Sequence, residues 1–173
     1  MKKLLLLIAA TSMLLAACSE DNNETTEKTT TDTPKADVEN NTSVELMKFY
    51  LSISKKINEA DIELNAFENA EELPEGEELQ AMKDAAKESV NNTIAQIEAI
   101  EVPETLSEQQ EEIESALTKI GESYSMKLEA LESDTEVLFD EANAKFEEAD
   151  AELNALLEEA ELAPSSILNE VSK

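Results

Sequence analysis

The chain has 173 residues, 41 of them acidic and 13 basic, for a formal charge of −28, with no histidine, arginine or tryptophan and one cysteine. That balance repels nucleic acid, whose binding needs cations set against phosphates, and it repels an anionic membrane surface. Without histidine, and with a single thiol, Ser–His and Cys–His nucleophiles, zinc sites and the Glu-x-x-His di-metal centres of helical bundles are excluded, so no metal and no cofactor is expected.

Lys2 and Lys3 open the chain, and Leu4 to Ala17 is an almost unbroken apolar run. A bilayer-spanning helix needs roughly 20 residues, so the run is too short for one and fits the apolar region of a secretory signal instead. It ends in Leu15-Ala16-Ala17-Cys18, a tetrapeptide that resembles the lipobox of bacterial lipoproteins. In that family the cysteine thiol carries diacylglycerol and the signal is cut just before it. The resemblance implies a chain held on the extracytoplasmic side of the cell membrane through the lipid on Cys18. An ordinary buried thiol is the alternative for Cys18, but a lone cysteine in an oxidising compartment has no partner to pair with. One acyl chain anchors only marginally, whereas the two of a diacylglyceryl group hold stably.

From Ser19 to Asn41 the only apolar residues larger than alanine are Val38 and Pro34. Such a stretch buries too little surface to offset chain entropy, so residues 18–42 are expected to be a lipidated cysteine followed by a disordered tether.

Four apolar stripes follow. The first is Leu46, Tyr50, Ile53, Ile57, Ala60, Leu64 and Phe67; the second runs from Leu79 through Met82, Ala86, Val90, Ile94 and Ile97 to Ile100. The third is Ile113, Leu117, Ile120, Tyr124, Leu128 and Leu131; the fourth runs from Leu138 through Ala142, Phe146, Ala149, Leu153 and Leu156 to Ala160. Spacings of three and four put each set on one helical face, with acids and amides opposite. Thr42-x-x-Glu45, Ser107-x-x-Gln110 and Ser133-x-x-Glu136 match the capping box that opens a helix. Leu73-Pro74-Glu75-Gly76, Val102-Pro103 and Pro164 mark breaks. The predicted fold is all-α, an antiparallel up-down four-helix bundle over 43–162, after a signal peptide at 1–17 and the tether. A three-helix bundle with one long helix is the alternative, because the break at Ser133 is the weakest. The tail, 163–173, places Ile167, Leu168 and Val171 like one more helical turn that caps the core.

The stripe aromatics read as core, with each tyrosine hydroxyl near an edge of the bundle. Phe49 and Phe139 read as flanking core positions. Glu71, Glu72, Glu75, Glu77 and Glu78, with Glu132, Asp134 and Glu136, gather near one end. Hard oxygen ligands suit Ca²⁺ or Mg²⁺, but no EF-hand spacing occurs, and a solvated acidic surface explains the cluster better. With this many carboxylates, some pair always lies close, so proximity is no sign of glycosidase chemistry, and no catalytic residue is singled out.

The lipobox, the tether and the acidic helices together resemble small acidic helical-bundle lipoproteins of Gram-positive bacteria. Ile97-Glu98-Ala99-Ile100-Glu101-Val102-Pro103-Glu104-Thr105-Leu106, followed by Ala116-Leu117, carries the helical part of that resemblance. It brings no activity, ligand or site residue with it. The function expected is a non-enzymatic binding or scaffold module at the cell surface, whose partner is a protein or a cationic ligand. An accessory solute- or divalent-cation-handling lipoprotein beside a transporter is the alternative.

Overall fold

The computed structural model describes residues 35–133 and 137–172. Leu15, Ala16, Ala17, Cys18, the tether up to Pro34, and Asp134 and Glu136 lie outside the described residues.

The protein is all-α, with no strand among the described residues. Six α-helices occur among the described residues: α1 (Lys35–Ala60), α2 (Ile62–Glu68), α3 (Glu77–Glu98), α4 (Gln110–Glu132), α5 (Asp140–Glu159) and α6 (Ile167–Val171). A 3-10 turn at Glu104–Leu106 precedes α4. α4 packs along both α3 and α5, α1 and α2 pack on α3, and α6 fits against α1 and α5. The Ser43 hydroxyl donates to the Ala160 carbonyl at 3.1 Å, setting α1 at Ser43 beside the end of α5. One core results, in which Ile53, Ile57, Ile113, Ile120, Phe146 and Leu157 are wholly buried. No helix among the described residues is long and apolar enough to cross a membrane.

Several helix ends differ from the sequence expectation. α1 begins at Lys35, so the segment 35–42, expected as tether, is helical and Thr42 lies inside the helix. Ser107 does not cap α4. Leu106, Ser107 and Gln109 donate their amides to the carbonyls of Pro103, Glu104 and Leu106, so the 3-10 turn satisfies them and α4 starts later, after Gln109. Ser133 closes α4 instead of opening α5, which begins only at Asp140. Residues 137–139 are not helical. Val137 and Phe139 pack on the core, and Leu138, expected in the fourth stripe, is 62% exposed.

The first stripe is also divided. α1 and α2 meet at Asp61, whose φ of −98° and ψ of 18° kink the axis while Asp61 and Asn65 still donate to the carbonyls four residues back. The Ser89 hydroxyl donates to the Ala60 carbonyl at 2.7 Å, holding the kink against α3.

α5 ends in a Schellman motif. Leu162 donates to the Leu157 carbonyl at 2.8 Å, Glu161 donates to Glu158 at 3.0 Å, and Glu161 sits at φ 57°. That conformation favours glycine, because a Cβ crowds the following carbonyl. Glu161→Gly is therefore expected to stabilise the fold by about 1 kcal/mol. Urea denaturation checks it; a midpoint at or below the parent's contradicts the strain.

Candidate functional site

Two charged residues hold stripe positions inside the core. Asp61 is four residues after Ile57 and three before Leu64, and Lys127 is three after Tyr124 and four before Leu131. The α1–α2 kink turns Asp61 inward and α4 presents Lys127 to the same interior, leaving them 1% and 3% exposed. The Tyr124 hydroxyl donates to Asp61 Oδ2 at 2.9 Å, while Asp61 Oδ1 is buried with no hydrogen-bond partner. Lys127 Nζ donates to Glu68 Oε1 at 2.6 Å. The same ammonium lies 5.6 Å from the Tyr124 ring centroid and 5.5 Å from that of Phe139, over both faces, where the ring quadrupoles attract it. Phe139 meets Phe67 edge-on at 6.3 Å and closes the cluster.

The electrostatics follow from the count of charges. One buried ammonium faces two carboxylates, Glu68 in contact and Asp61 nearby. Burial pushes the Asp61 carboxyl up from 3.8 to about 6, against the opposing effects of the Tyr124 hydrogen bond and the Lys127 charge. Tyr124 is raised well above the ordinary phenol range, first by burial and then by the Asp61 charge. A perturbed carboxylate of this kind can mark an acid–base catalyst. Here Asp61 and Lys127 are closed off from solvent, so no dissolved substrate reaches them. The cluster instead fixes where α1 and α2 bend and how α2, α4 and the segment before α5 meet.

A second buried carboxylate secures the tail. Asp150, 7% exposed, is four residues after Phe146 and three before Leu153 on α5. It accepts from the Ser166 hydroxyl at 2.6 Å, the Ile167 amide at 3.0 Å and the Leu168 amide at 3.4 Å, so it takes up free donors at the start of α6. Burial raises its pKa despite these bonds. Asn154 Oδ1 accepts from the Ser165 amide at 2.9 Å, and Asn65 Nδ2 donates to the Val171 carbonyl at 2.7 Å. Ile167 and Val171 are buried, as a turn capping the core requires.

The residues singled out from sequence stand as follows. Tyr50 and Tyr124 are core, 2% and 1% exposed; the Tyr124 hydroxyl turns inward to Asp61, whereas that of Tyr50 faces Ser165 and Ile167 of the tail, which covers it. Burial pushes Tyr50 up to about 12. Phe49 is buried, and Phe139 is half-buried against the core. Glu71, Glu72, Glu75, Glu77, Glu78 and Glu132 are all exposed, and no group of three carboxylates among the described residues could hold a metal ion. Asp61, Glu68, Lys127 and Asp150 went unnoticed in the sequence. The available signal was a charged residue in an apolar register, masked at positions 60 and 149 by alanines that fit the same stripes one residue away.

No protein-family model matches the chain, and neither does any curated protein or solved structure.

Proposed function

We propose that the chain is a lipid-anchored protein of the extracytoplasmic membrane face, and that its domain serves there as a non-enzymatic binding or scaffold module. The observation that carries this reading is the sequence of residues 2–18, two lysines and an apolar run too short to span a bilayer, closed by Leu15-Ala16-Ala17-Cys18. Removing residues 1–17 takes away two lysines and no acid, so the anchored remainder is more negative than the whole chain. Lipid must then hold it against an electrostatic push from anionic headgroups.

In this reading the domain is an antiparallel up-down four-helix bundle in which α1 with α2, α3, α4 and α5 are the four rods. The neighbour pattern supports it, with α4 between α3 and α5 and the Ser43 part of α1 beside the end of α5. The non-enzymatic reading is supported by the enclosure of the perturbed carboxylates and by the lack of histidine.

Cys18→Ala tests the anchor. The native chain is expected to incorporate labelled palmitate and to sediment with membranes, while the variant takes up no label and leaves the membrane fraction. A native chain whose Cys18 thiol stays free in intact-mass analysis would refute the proposal.

A further inference from the structure

The outer face of α4 is left open between α3 and the start of α5. Ile94 and Met126, both partly exposed, give a groove of about 560 Å³ its open apolar surface, over the buried Ile97 and Leu117 and beside Gly121 and Ser125. Met126 and Glu129 are shared with a second hollow of about 510 Å³ that continues to Leu138, so the two form one trough along α4. From Leu117 to Ala130 it follows about 20 Å of helix at 1.5 Å per residue.

Two features of the chain keep this trough open. α3 buries Ser89 and Thr93 in the core, with Thr93 Oγ1 donating to the Ser89 carbonyl at 2.9 Å. That rotation leaves Ile94 only partly buried, at the floor of the trough. Gly121 sits in the middle of α4, where glycine costs about 1 kcal/mol relative to alanine. The internal packing does not require it, because a Cβ there would meet only Ile97 Cγ2, at 4.0 Å. What the missing side chain does provide is an unobstructed floor.

The walls have one sign. Glu98, Glu122, Glu129, Asp140 and Glu141 line them against one cation, Lys145, itself drawn toward Glu148 at 3.1 Å and Glu122 at 3.9 Å. An apolar floor between acidic walls is complementary to a helix with an apolar face flanked by lysine or arginine. Nucleic acid and anionic headgroups are repelled by the same walls. A second copy of this chain, with 41 acids to 13 bases, brings the wrong charge.

We infer that the α4 trough is a docking groove for a cationic amphipathic helix of a partner protein. The inference rests on the binding-module reading and names the partner's chemistry.

The test uses the full-length chain and a fluorescent helical peptide of leucine and lysine, about 18 residues long, which is roughly five turns. Saturable one-to-one binding that weakens with salt is expected, and the counterpart built from leucine and glutamate is expected not to bind. Gly121→Leu fills the floor and is expected to weaken binding by about tenfold or more with the melting temperature retained. Glu122→Lys with Glu129→Lys, both exposed, should do the same without touching the core. Glu63→Lys with Glu72→Lys, the same charge change outside the trough, should alter affinity by less than about twofold. The inference is overturned by the absence of saturable binding, by equal effects of the two charge reversals, or by undiminished binding to folded Gly121→Leu. It is also overturned by a dimer that Gly121→Leu dissolves, which would assign the trough to a second copy. Membrane fractionation of the same preparations reports separately on the anchor, so loss of peptide binding by a membrane-bound chain removes this inference alone.

Discussion

Lys127→Met is expected to destabilise the domain by about 3–5 kcal/mol at pH 7.5, the usual consequence of removing one partner from a buried ion pair. The methionine fills much of the same space, so the loss is chiefly electrostatic. Glu68 loses the ammonium 2.6 Å from its Oε1, and Asp61 loses the one cation facing it. The contacts to the faces of Tyr124 and Phe139 disappear as well. The penalty should shrink on acidification, because protonating Asp61 removes one of the charges left uncompensated. Adding Glu68→Gln and Asp61→Asn to Lys127→Met should recover part of the loss at pH 7.5. Urea denaturation of the variants decides; a single-variant loss under about 1 kcal/mol would mean the pair is solvated and the cluster is not what fixes the α1–α2 bend.

Asp61→Asn is expected to act in the opposite direction. The folded protein holds the Asp61 proton more tightly than the unfolded chain does, with the pKa raised from 3.8 to about 6. The associated stabilisation is fully present below about pH 4 and is lost as pH rises through about 6. At neutral pH the parent therefore keeps an ionised carboxylate in the core, with Oδ1 unpartnered, facing Tyr124, Lys127 and Glu68. The shift corresponds to about 3 kcal/mol at 1.36 kcal/mol per unit. Asparagine keeps an oxygen for the Tyr124 hydroxyl and carries no charge. The variant should be more stable than the parent by about 2–3 kcal/mol at pH 7.5 and nearly equal to it at pH 4. Comparing the two proteins at each pH cancels the titration of the exposed acids. An advantage that stays constant with pH, or a loss at every pH, would contradict the assignment.

The stripes at three-and-four spacing were enough to read the all-α class and most of the core, because burial of an apolar face is what organises these helices. Helix ends were less legible. Capping boxes at Thr42, Ser107 and Ser133 are local patterns, and each lost to a competing interaction: an earlier start, a 3-10 turn, and a non-helical segment that inserts Val137 and Phe139. Ile94 fits the second stripe, yet α3 turns it toward the trough, since hydroxyls at 89 and 93 can enter the core by bonding to backbone carbonyls. Asp61 takes the inward position that the stripe offers to Ala60, whereas Ala149 and Asp150 are both buried, because α5 is covered on more than the stripe face alone. The trough on α4 was invisible for a related reason. It depends on how far apart neighbouring rods stand, and spacing along one rod does not encode that.

The latching of α6 bears on the order in which the protein can assemble. Asn58 and Asn65, near the α1–α2 bend, donate to the carbonyls of Glu170 and Val171, more than 100 positions further along. Ile167 and Val171 are buried where α6 packs against α1 and α5. Contacts of such separation close late, after the intervening loop entropy has been overcome. The domain thus stays incomplete until positions 167–171 are free to dock against α1, and until then its core is loosely closed. Chains stalled before position 167 should expose their interior to proteases.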